Sequence, residues 1–351
     1  MEKVAILAIT KNGIKIASTL KQSFPGWEIF APSKFQDDSV ATSWYDEQTA
    51  AKLAELFGKY DGLVCLFSLG AVIRLIATHL KDKKTDPAII VIDDKASFVI
   101  SALSGHLGGA NELSEEIARK LGATAVITTA ADVNKTIPVD LLGKEFGWKI
   151  DGDSNVTRIS ALMVNEEKIG VYQDAGEKNW WNGDLPKNVA VYDTLDKLLK
   201  SDTKAYLIIS DKNLDGDIAR NSVIYRPQTL VAGIGLHGDT TKEKIIESLL
   251  FCLSKYGLSP KSIARLVSIK KPKQVQGLVD AAGDLGIPLE YFERDELAQI
   301  SIPNPSETVQ AYEGTPSVSE AAAIRSSRGR LVVEKQKFPP DLTIAIARIE
   351  K

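Results

Sequence analysis

Cysteine is scarce in this sequence, with Cys65 and Cys252 the only two among 351 residues. Both lie inside apolar runs. Two cysteines cannot build a disulfide framework or a four-ligand metal site, so the composition excludes both. We therefore expect a chain that works in the reducing environment of the cytoplasm.

Long apolar runs and an excess of positive charge are also missing. The apolar stretch from Leu63 to Leu80 is interrupted by polar residues, which argues against a membrane span. The apolar run near the N-terminus is too short for a secretion signal. The formal net charge is -3 and the sequence pI is about 5.8. A general polyanion-binding surface is therefore not expected, and neither is a nucleic-acid partner.

The chain has the composition of a globular protein, with 44% hydrophobic and 25% charged residues. Short β-rich runs alternate with amphipathic helical patterns, which is typical of parallel α/β architecture. We predict an α/β fold with three domains. An N-terminal doubly wound, mostly parallel sheet domain covers residues 1–138, a small α+β middle domain covers 139–225, and a C-terminal α/β domain covers 226–351.

Two local patterns predict hairpins. Ala88–Ile92 and Phe98–Leu103 have the composition of strands and are separated only by residues 93–97, a spacing that suits a hairpin or an edge strand. Residues 161–164 and 169–173 flank the polar segment NEEK and indicate a second hairpin.

The segment SALSGHLGGANEL, residues 101–113, places His106 among glycines, between a predicted strand and a predicted helix over residues 110–121. The glycines let the backbone approach a ligand, and N–H groups at a helix start favour a carboxylate or phosphate. His106 can exchange a proton near neutral pH, and Ser104 adds a hydroxyl. Alternatively the glycines only make a tight turn and His106 bonds a neighbouring carbonyl. The pattern leaves both interpretations open, and it identifies no acidic partner for a catalytic triad.

A second polar segment, TTAADVNK, follows the next predicted strand. Open α/β sheets place their ligand crevices at the carboxyl ends of strands, so Thr128, Thr129 and Asp132 can line the same crevice as His106. Helix capping and turn formation are the alternative roles.

Arg74 is flanked by apolar residues in a predicted helix. A guanidinium on a partly buried face requires a carboxylate partner, so Arg74 is a candidate for binding an acidic ligand.

The segment GIGLHG, residues 233–238, has the spacing G-x-G-x-x-G after a predicted strand and before a predicted helix. This spacing suggests a dinucleotide site, but the fingerprint also needs an acidic residue at the end of the next strand. That strand ends instead at Lys270 and Lys271. The pattern alone is weak evidence for a nicotinamide cofactor, and the loop can also hold another anion.

Four segments together carry a stronger signal than any of these patterns. They are LKDKKTDPAIIVID, FVISALSGHLGGANELSEEIARKLGATAVITTAAD, EEKIGVYQDAG and GTPSVSEAAAI. They resemble the CbiG family of cobalamin biosynthesis, the cobalt-precorrin-5A hydrolases of the anaerobic route, and the C-terminal portion is also similar to the CobE protein. The resemblance implies an enzyme that opens a δ-lactone on a cobalt-containing tetrapyrrole and releases acetaldehyde.

The resemblance also gives the candidate residues a common purpose, because the implied substrate carries many acetate and propionate groups that need separated anion-binding elements. His106 and Ser104 become the catalytic candidates, with the N–H groups of Gly108 and Gly109 as donors to the developing oxyanion. The substrate-binding candidates are Arg74, Gly105, Gly108, Gly109, Asn111, Thr128, Thr129, Asp132, Gly233, Gly235, Lys270, Ser317 and Glu320.

The resemblance has further implications for cofactors and partners. The cobalt belongs to the substrate, so neither a protein metal site nor another cofactor is expected. Other cobalamin-pathway enzymes are expected as partners for substrate handover, and a homodimer is a further expectation. One departure stands out: family members often have GIGCRRGT where this chain has GIGLHGDT, so side-chain roles at Leu236 and His237 do not carry over.

Two other functions remain open at this point. A non-catalytic tetrapyrrole carrier would keep the anion-binding loops without needing His106, and an acetaldehyde assay separates it from an enzyme. An NADP-dependent oxidoreductase built on GIGLHG would bind nicotinamide cofactors in fluorescence or calorimetric titrations.

Overall fold

The computed structural model describes residues 3–350 apart from residues 38, 83–84, 107, 130–135, 153, 182 and 215. The chain divides into two compact units, Met1–Thr136 and Ile137–Lys351. Within the described residues, no helix has the length and apolar character needed to cross a membrane.

The first unit is a seven-stranded sheet with helices. Its strand order is β3-β2-β1-β4-β5-β6-β7, and neighbouring strands are parallel except for the antiparallel pair β5 and β6. The predicted doubly wound, mostly parallel sheet is confirmed. The elements are β1 (Val4–Ala8), α1 (Lys11–Ser23), β2 (Glu28–Pro32), β3 (Ser43–Tyr45), α2 (Thr49–Phe57), β4 (Gly62–Leu66), α3 (Leu69–Ile76), β5 (Ala88–Ile92), β6 (Phe98–Leu103), α4 (Ala110–Leu121) and β7 (Thr124–Val126).

Local chemistry explains these elements. Strands β1, β4 and β5 are uninterrupted apolar runs that are buried along their whole length, as expected for central parallel strands covered on both faces. Helix α1 begins after Thr10, whose side chain accepts a hydrogen bond from the Gly13 N–H and so caps the helix. Its residues Ile14, Ala17 and Leu20 recur at helical spacing and are buried.

The reversal of β6 decides where the loop around His106 lies. Since β6 is antiparallel to β5, Leu103 pairs with Ile89 near the start of β5. The loop after β6 is therefore at the amino edge of β5, opposite the edge where β1 and β4 end. The predicted hairpin of β5 and β6 is confirmed, but β6 is not an edge strand because β7 pairs with its other side.

The second unit contains two five-stranded sheets. The first has the order β10-β9-β11-β12-β8 and is parallel except for the β12–β8 pair. Its elements are β8 (Lys149–Ile150), α5 (Val156–Val164), β9 (Ile169–Gln173), β10 (Val189–Tyr192), α6 (Leu195–Leu199), β11 (Ala205–Ile209), α7 (Gly216–Arg220) and β12 (Ser222–Arg226).

The predicted hairpin over residues 161–164 and 169–173 is wrong. Residues 161–164 are the last turn of α5, and only 169–173 form a strand. The Asn155 side chain accepts a hydrogen bond from the Arg158 N–H and starts the helix. Ile159 and Met163 then lie one turn apart on its buried face. The helical spacing of these buried residues determines the structure here, and the short apolar run that suggested a strand is only the end of the helix.

The second sheet of this unit has the order β15-β14-β13-β17-β16, with β13, β14 and β15 parallel and β17 antiparallel to both of its neighbours. Its elements are β13 (Leu230–Leu236), α8 (Lys242–Lys255), β14 (Ile263–Ile269), α9 (Gln276–Leu285), β15 (Leu289–Phe292), α10 (Arg294–Ala298), α11 (Glu307–Glu313), α12 (Val318–Ser327), β16 (Arg330–Phe338) and β17 (Leu342–Arg348).

A buried carboxylate joins the two sheets of the second unit. Asp211, just after β11, is fully buried. It accepts two hydrogen bonds of 2.7 Å from the guanidinium of Arg348, at the end of β17, and one of 2.8 Å from the Thr229 hydroxyl. A bidentate guanidinium is the partner that best satisfies a buried carboxylate, so this contact fixes β17 against the first sheet.

Candidate active site

The loop between β6 and α4 folds back over the start of the helix. The N–H groups of Ala110 and Asn111 donate hydrogen bonds to the carbonyls of Ser104 (3.2 Å) and Gly105 (3.0 Å). Ser104 has a positive φ of 55°, which a non-glycine residue adopts only when its surroundings enforce it. The Ser104 hydroxyl donates to the Asp86 carbonyl at 2.9 Å and thus anchors the loop to the residues before β5.

The loop glycines are required for this compact conformation. A Cβ atom on Gly105 would lie 2.6 Å from Oδ1 of Asn111, and one on Gly108 would lie 2.5 Å from Cβ of Ser104. Gly109 has a φ of 79°, a region that favours glycine. Packing accounts for Gly105 and Gly108 and backbone conformation for Gly109, whatever ligand the loop meets.

Asn111 connects the loop to the end of β7. Its side chain is 6% exposed, its Oδ1 accepts a hydrogen bond from the Ser101 hydroxyl (2.6 Å), and its Nδ2 donates to the Thr129 hydroxyl (3.0 Å). The structure therefore brings Thr129 to the His106 loop. Thr128 beside it is exposed, and Asp132 lies outside the described residues.

His106 is half-buried within this loop. Its carbonyl accepts a hydrogen bond of 3.1 Å from the N–H of Gly109. The Gly109 N–H, one of the two expected oxyanion donors, is thus already used within the loop, and its oxyanion role stays a prediction. The Gly108 N–H remains a candidate as well.

Arg74 lies in the last turn of α3. The helix buries Val72 and Ile76, which leaves Arg74 exposed on the other face. The expectation that Arg74 lies on a partly buried face is therefore wrong, and no carboxylate among the described residues pairs with it. As an exposed cation, Arg74 can still meet an acidic ligand.

In the second unit, the glycines of GIGLHG have a packing role. A Cβ on Gly233 would lie 1.9 Å from the carbonyl oxygen of Ser319 in α12, and one on Gly235 would lie 2.5 Å from the hydroxyl of Thr343 in β17. A Cβ on Gly238 would meet nothing within 4 Å. Two of the three glycines thus allow α12 and β17 to approach β13, which explains the spacing without a dinucleotide.

The other substrate-binding candidates of the second unit differ in whether they already have partners within the protein. Lys270 is exposed and pairs with Glu293. Glu320 is fully buried and accepts hydrogen bonds from the side chain and N–H of Asn304 and from the N–H of Lys335. Ser317 is 2% exposed at the start of α12. These residues belong to a different unit from the His106 loop.

Comparison with known proteins identifies the family. Residues 51–132 match the description Cobalamin synthesis G N-terminal, residues 137–227 match Cobalamin biosynthesis central region, and residues 230–347 match Cobalamin synthesis G C-terminus. A protein of Priestia megaterium named Cobalt-precorrin-5A hydrolase is 41% identical over 98% of this chain and 94% of its own length. The chain belongs to the CbiG family.

Two further relatives agree with this assignment. A Salmonella typhimurium protein, also named Cobalt-precorrin-5A hydrolase, is 29% identical over 95% of this chain and 94% of its own length. Protein CobE of a Sinorhizobium species is 29% identical over 31% of this chain and 72% of its own length.

Sequence reasoning missed an aromatic cavity in this CbiG chain. A cavity of about 1030 Å³ is lined by Trp180 and Trp181, by Tyr192 of β10 and by Arg330 and Arg348. The available signal was a pair of adjacent tryptophans in the polar loop DAGEKNWWNGDLP, because large aromatic side chains on a loop are often used in binding.

Other reactive groups are placed unfavourably for catalysis. Burial raises the pKa of Cys65 to about 12 and that of Cys252 to about 11, so neither thiol ionises near neutral pH. Among the described residues, no three histidine, cysteine or carboxylate side chains are grouped in a way that could hold a metal ion.

Proposed function

We propose that this chain is a cobalt-precorrin-5A hydrolase, which opens the δ-lactone of a cobalt tetrapyrrole and releases acetaldehyde to give cobalt-precorrin-5B. The observation that carries the proposal is the 41% identity to a protein of that name over 98% of the chain. The cobalt is part of the substrate, and the proposal needs no cofactor of the protein.

The reaction consumes one water. Water attacks the lactone carbonyl, the carbonyl carbon–oxygen single bond breaks, and a carboxylate and an alcohol remain. The alcohol then loses its proton, the bond between its carbon and the macrocycle breaks, and acetaldehyde leaves. The electron pair of that bond stays on the conjugated macrocycle, which takes up a proton. The enzyme must therefore supply a base for water and a donor for the oxyanion.

We assign the base role to His106, with Ser104 beside it. Ser104 and Asn111 hold the loop at both ends, through Asp86 and through Thr129. A base held in a rigid loop contributes more than a mobile one, because its position is fixed before the substrate arrives. Exposed Arg74 and the hydroxyls near the end of β7, which belong to the same unit, are the groups that we assign to the acidic side chains of the substrate.

The test is acetaldehyde release from the cobalt substrate, followed by NADH oxidation with alcohol dehydrogenase. The wild-type chain is expected to form acetaldehyde, and His106→Ala is expected to lose about 10²–10⁴-fold in rate, the usual contribution of a general base. His79→Ala is the matched control, because His79 is a histidine of the same unit that packs beside Phe57.

Two results would contradict these assignments. Binding of the macrocycle without acetaldehyde formation would identify a carrier rather than a hydrolase. Full turnover by His106→Ala would remove the base role while leaving the hydrolase assignment intact.

The proposal also covers the cellular location, the partner enzymes and the oligomeric state of the protein. It places the chain in the cytoplasm, in the company of cobalamin-pathway enzymes that deliver and accept the intermediate, and as a homodimer. Cell fractionation and sedimentation of the purified protein test the location and the dimer.

A further inference from the structure

A second cavity of about 630 Å³ lies at the start of α12 in the C-terminal sheet. Its walls are largely apolar and include Leu236, Val309, Val318, Pro340 and Leu342. Tyr312, which also lines the cavity, is 81% exposed. An exposed aromatic ring beside an apolar wall is suited to a flat, apolar ligand body.

Ser317 occupies the N-cap position of α12 and lines this cavity, but its side chain caps nothing. Among the described residues, no group bonds its hydroxyl, and that oxygen is closed to solvent. In the described part of the chain, no backbone carbonyl outside the helices and strands accepts a hydrogen bond from the N–H groups of Val318 and Ser319. A buried hydroxyl without a partner is unfavourable, so its presence at a cavity wall needs an explanation.

A bound anion supplies that explanation. The start of a ten-residue helix carries partial positive charge and outward N–H groups, which attract an anion. A serine side chain has three staggered rotamers, so the Ser317 hydroxyl can turn toward a group that enters the cavity. An anion there would satisfy the hydroxyl and the helix N–H groups together.

The charges around the cavity favour an anion as well. Two carboxylates line it, but Glu313 is paired with Lys271 and Asp341 with Lys244. The remaining charged lining residues are Lys335 and Lys337 of β16.

The two lysines of β16 differ in what they contact. The ammonium of Lys335 donates to the Asn304 carbonyl, and the buried carboxylate of Glu320 lies nearby. Burial lowers the pKa of Lys335, and an added anion would oppose that effect. Lys337 is exposed and has no carboxylate partner among the described residues. Lys337 is therefore the lysine of this wall that has no carboxylate partner in the described part of the chain, whereas Lys335 lies beside Glu320.

We propose that the cavity at the start of α12 binds a carboxylate side chain of a tetrapyrrole, with Ser317, the first N–H groups of α12 and Lys335 as its donors. The choice of a tetrapyrrole rests on the proposed function. The carboxylate chemistry rests on the unpartnered hydroxyl, the helix start and the two lysines. Tyr312 and the apolar wall contact the edge of the macrocycle.

The test uses uroporphyrin, a macrocycle with four acetate and four propionate side chains, and measures its fluorescence anisotropy on the full chain. Ser317→Ala is expected to weaken binding about tenfold, since a hydrogen bond to a charged group is worth about that much in affinity. Lys335→Gln is expected to weaken it by a similar factor. The matched control is Ser319→Ala, which also removes a buried, unpartnered hydroxyl from α12, but one outside the cavity lining. It is expected to bind within twofold of wild type.

The outcomes separate this proposal from the proposed function. Weakened binding in Ser317→Ala and Lys335→Gln supports the carboxylate site even in a protein that releases no acetaldehyde. Equal binding by wild type and both variants overturns it, as does the absence of uroporphyrin binding. Weakening by Trp181→Ala but not by Ser317→Ala also overturns it, because the macrocycle would then lie in the tryptophan cavity.

Discussion

Replacing Gly233 by alanine tests the packing explanation of the GIGLHG segment. The added Cβ would lie 1.9 Å from the Ser319 carbonyl oxygen, whereas ordinary contact begins near 3.4 Å. It would also lie 3.0 Å from Cβ of Ala323. Because the nearest clash is with backbone, no side-chain rotation relieves it, and α12 must move away from β13. The helix has little room to move, since Ala321, Ala322 and Ala323 are fully buried.

We expect Gly233→Ala to lower the free energy of unfolding by about 2–3 kcal/mol. Overpacking a core costs about 1–3 kcal/mol, and a backbone clash belongs at or above the upper end of that range. Alanine recovers about 0.4–1 kcal/mol by restricting the unfolded chain. Urea denaturation followed by circular dichroism measures the total change. Hydrogen exchange over β13 and α12 localises it, which matters in a chain of two units.

Gly238→Ala is the control for this substitution, because its Cβ meets nothing within 4 Å. It is expected to change stability by no more than about 0.5 kcal/mol. Wild-type stability of Gly233→Ala would refute the packing explanation. Nicotinamide binding that either alanine abolishes would restore the dinucleotide interpretation.

Three further predictions follow from polar groups that are buried or half-buried. Asn111→Ala leaves two hydroxyls without their partner and is expected to cost about 1–3 kcal/mol, which differential scanning calorimetry measures; an unchanged transition would contradict the role of this side chain. Ser317→Ala removes an unpartnered hydroxyl and is expected to keep or slightly raise the free energy of unfolding in urea, so a loss above about 1 kcal/mol would count against the unpartnered state. Burial raises the pKa of Asp151, but hydrogen bonds from Lys261 and Arg226 outweigh it and hold that pKa below its usual value. The stability from this shift is complete above the unfolded-state pKa of about 3.9 and is lost as the pH falls through the folded-state value. Thermal melts should therefore show Asp151→Asn less stable than wild type at pH 7 and less sensitive to acid below pH 4; parallel pH curves would refute this.

Local patterns predicted much of the first unit. The bounds of β5, β6 and α4 follow from continuous apolar runs and from a helical repeat that ends at Gly122, which has a positive φ of 67°. Strand β16 lacks such a signature. Its pairing with β17 shifts register twice, so the alternation of buried and exposed residues that identifies a strand is broken.

The candidate site was only partly predictable. That Thr129 lies near the His106 loop follows from the sequence, because both come directly after strands that pair in parallel. The packing role of Gly233 does not, because the helix that it accommodates is more than eighty residues further along the chain. The hydrogen bond from the Gly109 N–H to the His106 carbonyl could not be predicted either, because the same glycine-rich sequence allows both an open and a closed loop.

The contact between Asp211 and Arg348 bears on how the family's regions can be studied. The boundary between the central and C-terminal matches falls at residues 227–230, yet the guanidinium that neutralises Asp211 is contributed from far beyond it. A polypeptide ending near residue 227 would lack both Thr229 and Arg348, whose side chains donate to the Asp211 carboxylate. The central region is thus a poor candidate for expression in isolation, whereas the pair of sheets expressed together keeps its charges matched.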